Sequence, residues 1–344
     1  MSLLSRLAVL AISLVLSVTS AFAEDVTKIR FTLDWKLQGL HAWYFWAQEK
    51  GYFAQEKLDV TIDQGEGSAA AVTRVMSGAY DAAFGDVNAV IQNAALRPAD
   101  APVMIYMMYS RAPFVLLTKA GTPVHSLKDL EGRKLGSPPG AAALKLLPLM
   151  AKKNGTDHTK IEVLNVAPNL QEQVLLQGQV DVSAVFSATS YMNLVALNLD
   201  PDKDFRWIYY ADQGANLYSN GILVSQKLAK EKPEAVKGLV RAINRSIKEV
   251  MENPDAAIAI LAKTEPLIKP DIEKRRLVYV YKTLMDTPEA RKLGMGDVDD
   301  ARMDEAAAML KEAYELPRAP KLDDVFARAF LPPKSERMMP ALPN

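Results

Sequence analysis

The sequence predicts an α/β protein of two lobes built on mostly parallel sheets, and three observations carry that reading. Short apolar strands alternate with helical stretches from Lys28 onward. The same strand, helix, glycine, strand order occurs twice, with the two glycines, Gly78 and Gly178, 100 residues apart. About 320 residues remain after the N-terminal leader, more than one hydrophobic core usually serves.

The leader is read first. Met1 to Arg6 carries one basic residue, Leu7 to Val18 is apolar, and Ala21-Phe22-Ala23 puts small residues at −3 and −1 of a cut after Ala23. The apolar run of about a dozen residues is short of the ~20 needed to cross a bilayer. Residues 1–23 therefore read as a secretory signal peptide, with a mature chain from Glu24 that is exported to the periplasm.

In the first lobe Lys28 to Trp35 reads as a strand, His41 to Lys50 as a helix ended by Gly51, and Leu58 to Asp63 as a second strand. Ser68 to Ser77 follows as a helix up to Gly78, and Ala82 to Gly85 as a buried strand. In the second half Ile161 to Val166, Asn169 to Gln177 and Val182 to Phe186 repeat the order. Each glycine can take the left-handed turn that ends a helix, and Asp81 and Asp181, three residues later, can hold the turn into a strand. Arg111 to Ala120 leads into the second lobe, and Arg206 to Ala211 with Gly221 to Ser225 leads back. The boundaries expected are 24–118 and 219–344 for lobe one and 119–218 for lobe two. Pro233 to Glu252, Asp271 to Thr283 and Ala301 to Tyr314 have helical spacing and finish the chain on lobe one as a helical C-terminal extension.

Composition removes several function classes. Forty-one basic residues balance 41 acidic ones, so no broad field recruits nucleic acid or an anionic membrane. With no cysteine there is no disulfide, no lipid-modified cysteine and no thiolate metal site. The three histidines, His41, His125 and His158, are far apart and show no metal-ligand spacing, so no metal and no cofactor are expected. No Gly-x-Ser-x-Gly turn marks a hydrolase nucleophile.

Ligands of open parallel sheets bind beyond the carboxyl ends of strands. The loops at those ends supply the candidate ligand-binding residues: Asp34, Trp35 and His41; Gly67 and Ser68; Asp86 and Asn88; Arg111; Ser137 and Gly140; Asn169; Ser187 and Tyr191; and Tyr218. Gly67-Ser68 and Ser137 to Gly140 immediately precede helices, where backbone N–H groups can meet a ligand oxygen or be capped within the protein. Trp35, at a strand end, is the stacking platform, whereas Phe45 and Trp46 share a helical stripe and pack inward. His41 is either a capping residue or a hydrogen-bond partner of the ligand. Asp34, Glu66, Asp86 and Asp212 outnumber Lys36 and Arg111 in these loops, which disfavours a strongly anionic ligand and favours one with N–H donors.

Asp34-Trp35 followed by His41, Ala47, Lys50-Gly51-Tyr52-Phe53, Leu58-Asp59-Val60, and Gly78 with Asp81 resembles the opening of the thiamine-pyrimidine-precursor-binding (NMT1/THI5-like) family. That family is close to the sulfonate- and nitrate-binding proteins of ABC importers. The resemblance continues through Leu127 to Lys134 and Gly221 to Ser225 to Lys232-Pro233-Glu234. It implies a type II periplasmic binding fold whose lobes close on a ligand, with Trp35 as stacking residue and His41 as cleft histidine. It further implies a monomeric carrier, not an enzyme, that delivers a small molecule to an ABC permease in the inner membrane. The chain departs from the yeast pyrimidine synthase branch in having no cysteine and in having a signal peptide. It also has Lys36 to Leu40 where many relatives carry Pro-Asn-type residues. The expected ligand is neutral, nitrogen-bearing and pyrimidine-like. The alternatives are a sulfonate, nitrate or aromatic acid held by Arg111 and the helix start at Gly136 to Gly140, or an enzyme using His41 as base.

Overall fold

The structure is a computed structural model and describes residues 26–341. The expected signal peptide and cleavage site fall outside the described residues.

Two five-stranded sheets form the two lobes. In chain order the strands are β1 (Thr27–Thr32), β2 (Leu58–Asp63), β3 (Ala82–Asp86), β4 (Val103–Met107), β5 (Phe114–Lys119), β6 (Lys134–Ser137), β7 (Glu162–Asn165), β8 (Val182–Phe186), β9 (Phe205–Tyr209) and β10 (Asn220–Val224). The first sheet runs β2-β1-β3-β10-β4 and the second β7-β6-β8-β5-β9. The chain crosses between them twice, at residues 108–113 and 210–219, so each sheet receives one strand arriving from the other lobe.

Those arriving strands are the exceptions in sheets whose other four strands all run the same way. β1 pairs parallel with β2 and β3, and β6 with β7 and β8, but β10 is antiparallel to both neighbours and so is β5. A strand that comes across the hinge starts at the edge of the sheet nearest the cleft, whereas the others end there. β5 pairs wholly within the second sheet, so the first crossing falls ahead of residue 118.

The internal repeat is a repeat of hydrogen bonds. Gly78 (φ +74°) and Gly178 (φ +70°) both take the left-handed conformation that favours glycine. Three residues on, the Asp81 carboxyl accepts from the Arg30 N–H of β1 at 2.9 Å, and Asp181 accepts from the Lys134 N–H of β6 at 3.0 Å. The returning backbone bonds, Asp81 N–H to Arg30 O and Asp181 N–H to Lys134 O, are both 2.9 Å. Each aspartate thus fixes the register of one strand against its neighbour.

The core of lobe one is aromatic. Phe31, Trp43, Tyr44, Phe84 and Tyr109 are buried together, with Phe84 edge-on to Tyr109 at 5.3 Å. The helix Pro233–Glu252 lays its apolar face on this core and keeps its charged face in water. The helix Asp300–Tyr314 does more than finish on lobe one. It packs on the helix Val87–Leu96 of that lobe and also reaches lobe two, where the Lys152 ammonium donates to Glu312 O at 2.7 Å and the Tyr314 hydroxyl to Lys145 O.

Candidate ligand-binding site

Between the sheets lies a cavity whose walls come from both lobes. Lobe one and the crossing supply Asp34, Trp35, Gln38, Leu40, Ser68, Tyr109, Pro113 and Leu284, and lobe two supplies Ala141, Gln171, Ala184, Val185, Phe186, Ala188 and Thr189. The enclosed space is about 20 Å³, on a scale where one water needs ~10–15 Å³. Most of these walls are buried, so the lobes must part for a ligand to reach them.

Asp34 stands at the end of the turn after β1 and is held from two sides. The Asn220 side chain, at the start of β10, donates to Asp34 Oδ2 at 2.8 Å, and His41 Nε2 lies 2.8 Å from Oδ1. The Gln38 backbone N–H donates to His41 Nδ1 at 3.1 Å, which leaves the ring proton on Nε2, donated to Asp34. Both nitrogens of the fully buried His41 are therefore engaged within the protein, and the residue backs the site without lining it. Of the two roles the sequence left open for it, capping is the one these contacts match, because the Gln38 turn rotates it behind Asp34.

Three buried polar atoms without a protein partner belong to cavity-lining residues: Ser68 Oγ, Tyr109 OH and Gln171 Oε1. Each such atom costs about 1–3 kcal/mol unless something hydrogen-bonds it. Burial, with Asp34 nearby, pushes the Tyr109 phenol well above its ordinary range, so it remains a donor. No lysine or arginine lines this cavity among the described residues.

Of the residues expected at the ligand, Asp34, Trp35 and Ser68 line the cavity. Trp35 is half-buried and also forms the wall of an outer recess with Asn169 and Lys36. Gly67 and Gly140 meet each other across the cleft, where the Ala69 and Ala70 N–H groups donate to Gly140 O at 3.2 and 3.3 Å. The helix start expected to hold a ligand oxygen is thus capped by a carbonyl of the opposite lobe.

The remaining candidates form hydrogen bonds within the protein. Asp86 caps the helix Val87–Leu96 through the Ala89 N–H and accepts from Asn88, whose amide also donates to Tyr218 O. Burial raises the Asp86 carboxyl to about 6. Arg111 is exposed beside the hinge, with its N–H on Leu284 O. Ser137 donates to Ala184 O, and the Ser187 N–H to Pro113 O. Tyr191 turns outward to Asp202, and the Tyr218 hydroxyl goes to Glu289 beneath the Arg302 guanidinium.

Sequence reasoning missed Gln38, Tyr109, Gln171, Thr189 and Leu284. Gln38 lies between Trp35 and His41 and Thr189 between Ser187 and Tyr191, and Tyr109 and Gln171 stand two residues from Arg111 and Asn169. Leu284 had no local signal, because only the packing of the C-terminal helices brings it to the cavity.

No helix among the described residues is long and apolar enough to cross a membrane, and no His/Cys/Asp/Glu group among them could hold a metal ion. Among curated proteins, the riboflavin-binding protein RibY of Chloroflexus aurantiacus is 26% identical over 220 residues, 62% of this chain and 60% of that protein. The match thus spans less than two thirds of that relative. The formylaminopyrimidine-binding protein of Halalkalibacterium halodurans is 26% identical over 267 residues, 75% of this chain and 78% of that one. Proteins named 4-amino-5-hydroxymethyl-2-methylpyrimidine phosphate synthase also match, so binding proteins and enzymes both occur among the relatives. The solved alkanesulfonate-binding protein SsuA of Xanthomonas axonopodis superposes with a TM-score of 0.65 at 16% identity, covering 88% of this chain and 99% of that chain. That likeness establishes the two-lobed fold of periplasmic binding proteins. The model of the family described as NMT1/THI5 like matches residues 38–257, most of the chain, and the protein belongs to that family.

Proposed function

We propose that the protein is the solute-binding component of an ABC importer and closes its lobes on a small, neutral, nitrogen-bearing ring molecule of pyrimidine type. The observation that carries this reading is the chemistry of the cavity wall. Trp35, Tyr109 and Phe186 offer aromatic surface, Ser68, Tyr109 and Gln171 offer unpartnered hydrogen-bonding groups, and the carboxyl of Asp34 is the one ionisable acid. A flat heterocycle with ring nitrogens and an amino group matches that set, stacking on Trp35 and donating to Asp34 or Gln171. The relatives named for riboflavin and formylaminopyrimidine binding support it.

A sulfonate, nitrate or aromatic acid would need a cation or free N–H groups. Of the anion-site alternative, Arg111 does not line the cavity, nor does any other arginine or lysine among the described residues, which counts against a strongly anionic ligand. As a carrier the protein is not an enzyme, a reading supported by His41, whose two nitrogens are engaged and leave no free base. Its setting is the periplasm, and its partner after capture is an inner-membrane permease, met as a monomer.

Native mass spectrometry of protein purified from its own host tests the reading. The expected result is a retained neutral heterocycle that is released chemically unchanged. Retention of a sulfonate would overturn the ligand class, and turnover of the heterocycle on incubation would overturn the carrier.

A further inference from the structure

A buried ion pair bonds to both walls of the cavity. Arg276, 2% exposed, lies on the helix Pro270–Val280, which packs against lobe one. Its guanidinium donates to Glu273 at 2.9 and 3.1 Å on the same helix. The other donors reach lobe two: Ala188 O at 3.2 Å, Thr189 O at 2.6 Å and Asn193 Oδ1 at 2.9 Å, all on the helix Ser187–Ala196. Ala188 and Thr189 line the cavity.

Glu273 links the same pair to the opposite wall. Its carboxylate accepts from the Gly39 N–H at 2.6 Å, in the loop that carries Gln38 and Leu40 into the cavity. The fit at this point is close, since a Cβ on Gly39 would lie 2.0 Å from Glu273 O. Lys269 and Tyr279 stand seven residues before and three residues after Arg276, on one face of the helix. Lys269 donates to Ala196 O at 3.2 Å, and Tyr279 stacks on Tyr191 with ring centres 5.4 Å apart.

We infer that Arg276 is the closure latch of this protein, a positioning residue that ties Thr189 on one wall and, through Glu273, the Gln38 loop on the other into a single closed arrangement. The chemistry allows the latch to release. When the lobes part, the guanidinium loses its three acceptors on lobe two but keeps Glu273, so no unpaired charge is stranded in the core. Water replaces the carbonyls at a moderate cost, and the equilibrium between open and closed forms stays within reach of ligand binding.

The inference concerns the protein without ligand, so its test is independent of the ligand proposed above. The absence of native cysteine makes site-directed spin labelling clean. Labels at Asp59→Cys and Glu162→Cys, exposed on the edge strands of the two sheets, report the separation of the lobes by pulsed electron spin resonance. The ligand-free protein is expected to show a short-distance population. Arg276→Gln should reduce its ratio to the long-distance population by roughly tenfold or more, as loss of hydrogen bonds from a charged donor implies. Arg276→Lys should give an intermediate ratio and Asn193→Ala a smaller shift of the same sign. If Arg276→Gln fails to fold by circular dichroism, the other two variants decide the matter. Distance distributions unchanged from the parent, or a parent with no short-distance population, would overturn the latch.

Discussion

Gly140 offers a way to penalise closure without touching either lobe alone. It lies on lobe two, its backbone is not left-handed, and the three atoms nearest to an added Cβ all belong to lobe one: Ala70 Cβ at 2.7 Å, Glu66 O at 3.3 Å and Gly67 Cα at 3.7 Å. An alanine here is therefore unstrained while the lobes are apart. In the closed form its methyl group overlaps Ala70 by about 1 Å relative to the ~3.5–4.0 Å carbon separation of ordinary contact. Relief requires the lobes to stand off, which also stretches the two N–H bonds from Ala69 and Ala70 to Gly140 O. Overpacking of this kind costs about 1–3 kcal/mol, so affinity should fall by about fivefold to 150-fold. Calorimetric titration with the heterocycle recovered by native mass spectrometry measures the fall, and small-angle scattering should show a larger radius of gyration for Gly140→Ala at equal ligand. Full affinity with a radius equal to the parent would refute the premise that ligand binding needs this lobe contact.

Other consequences are as direct. Ser68→Ala should leave ligand-free melting unchanged or raise it, because it removes a buried hydroxyl without a partner, yet weaken ligand binding by about 1 kcal/mol; a lower melting temperature with full affinity would contradict that. Trp35→Ala should weaken binding by about 1–3 kcal/mol in the same titration, and unchanged affinity would remove Trp35 from the site. Asp86, raised from 3.8 to about 6 by burial, favours the protonated folded state, so its contribution is largest below pH 4 and is lost as pH rises toward 6. Asp86→Asn should therefore flatten the fall in stability across that window and raise stability at pH 7 by up to roughly 3 kcal/mol; chemical denaturation at pH 4 and pH 7 checks the slope.

How legible the fold was follows from what its signals depend on. Gly78 with Asp81 and Gly178 with Asp181 were readable because a left-handed helix end and a carboxyl on a strand N–H are local requirements of the backbone. The antiparallel setting of β5 and β10 was not readable, because it follows from which way the chain re-enters a sheet after crossing. The site divides along the same line. Strand-end loops identified Asp34, Trp35 and Ser68, while Asp86, Ser137 and Tyr218 share the same kind of position but face their own lobe. Leu284 and the Arg276–Glu273 pair come from helices more than two hundred residues beyond Asp34, and no periodicity in the chain announces where such helices dock.

Asn220 has a place in the hinge as well as beside the site. Its carbonyl accepts the Met108 and Tyr109 N–H groups of the other crossing at 3.1 and 2.8 Å, while its side chain holds Asp34. The pivot of the two crossings is thus in direct contact with the acid that lines the cavity. A rotation about that pivot moves nearby atoms little and distant ones in proportion to their radius. Asp34 and Tyr109 sit at the short end of the lever, so they meet a ligand with nearly unchanged geometry whether the lobes are open or closed. Atoms on the outer faces of lobe two sit at the long end, where the same rotation becomes a larger displacement. In the proposed carrier role, the near residues would select the solute and the far surface would report its capture.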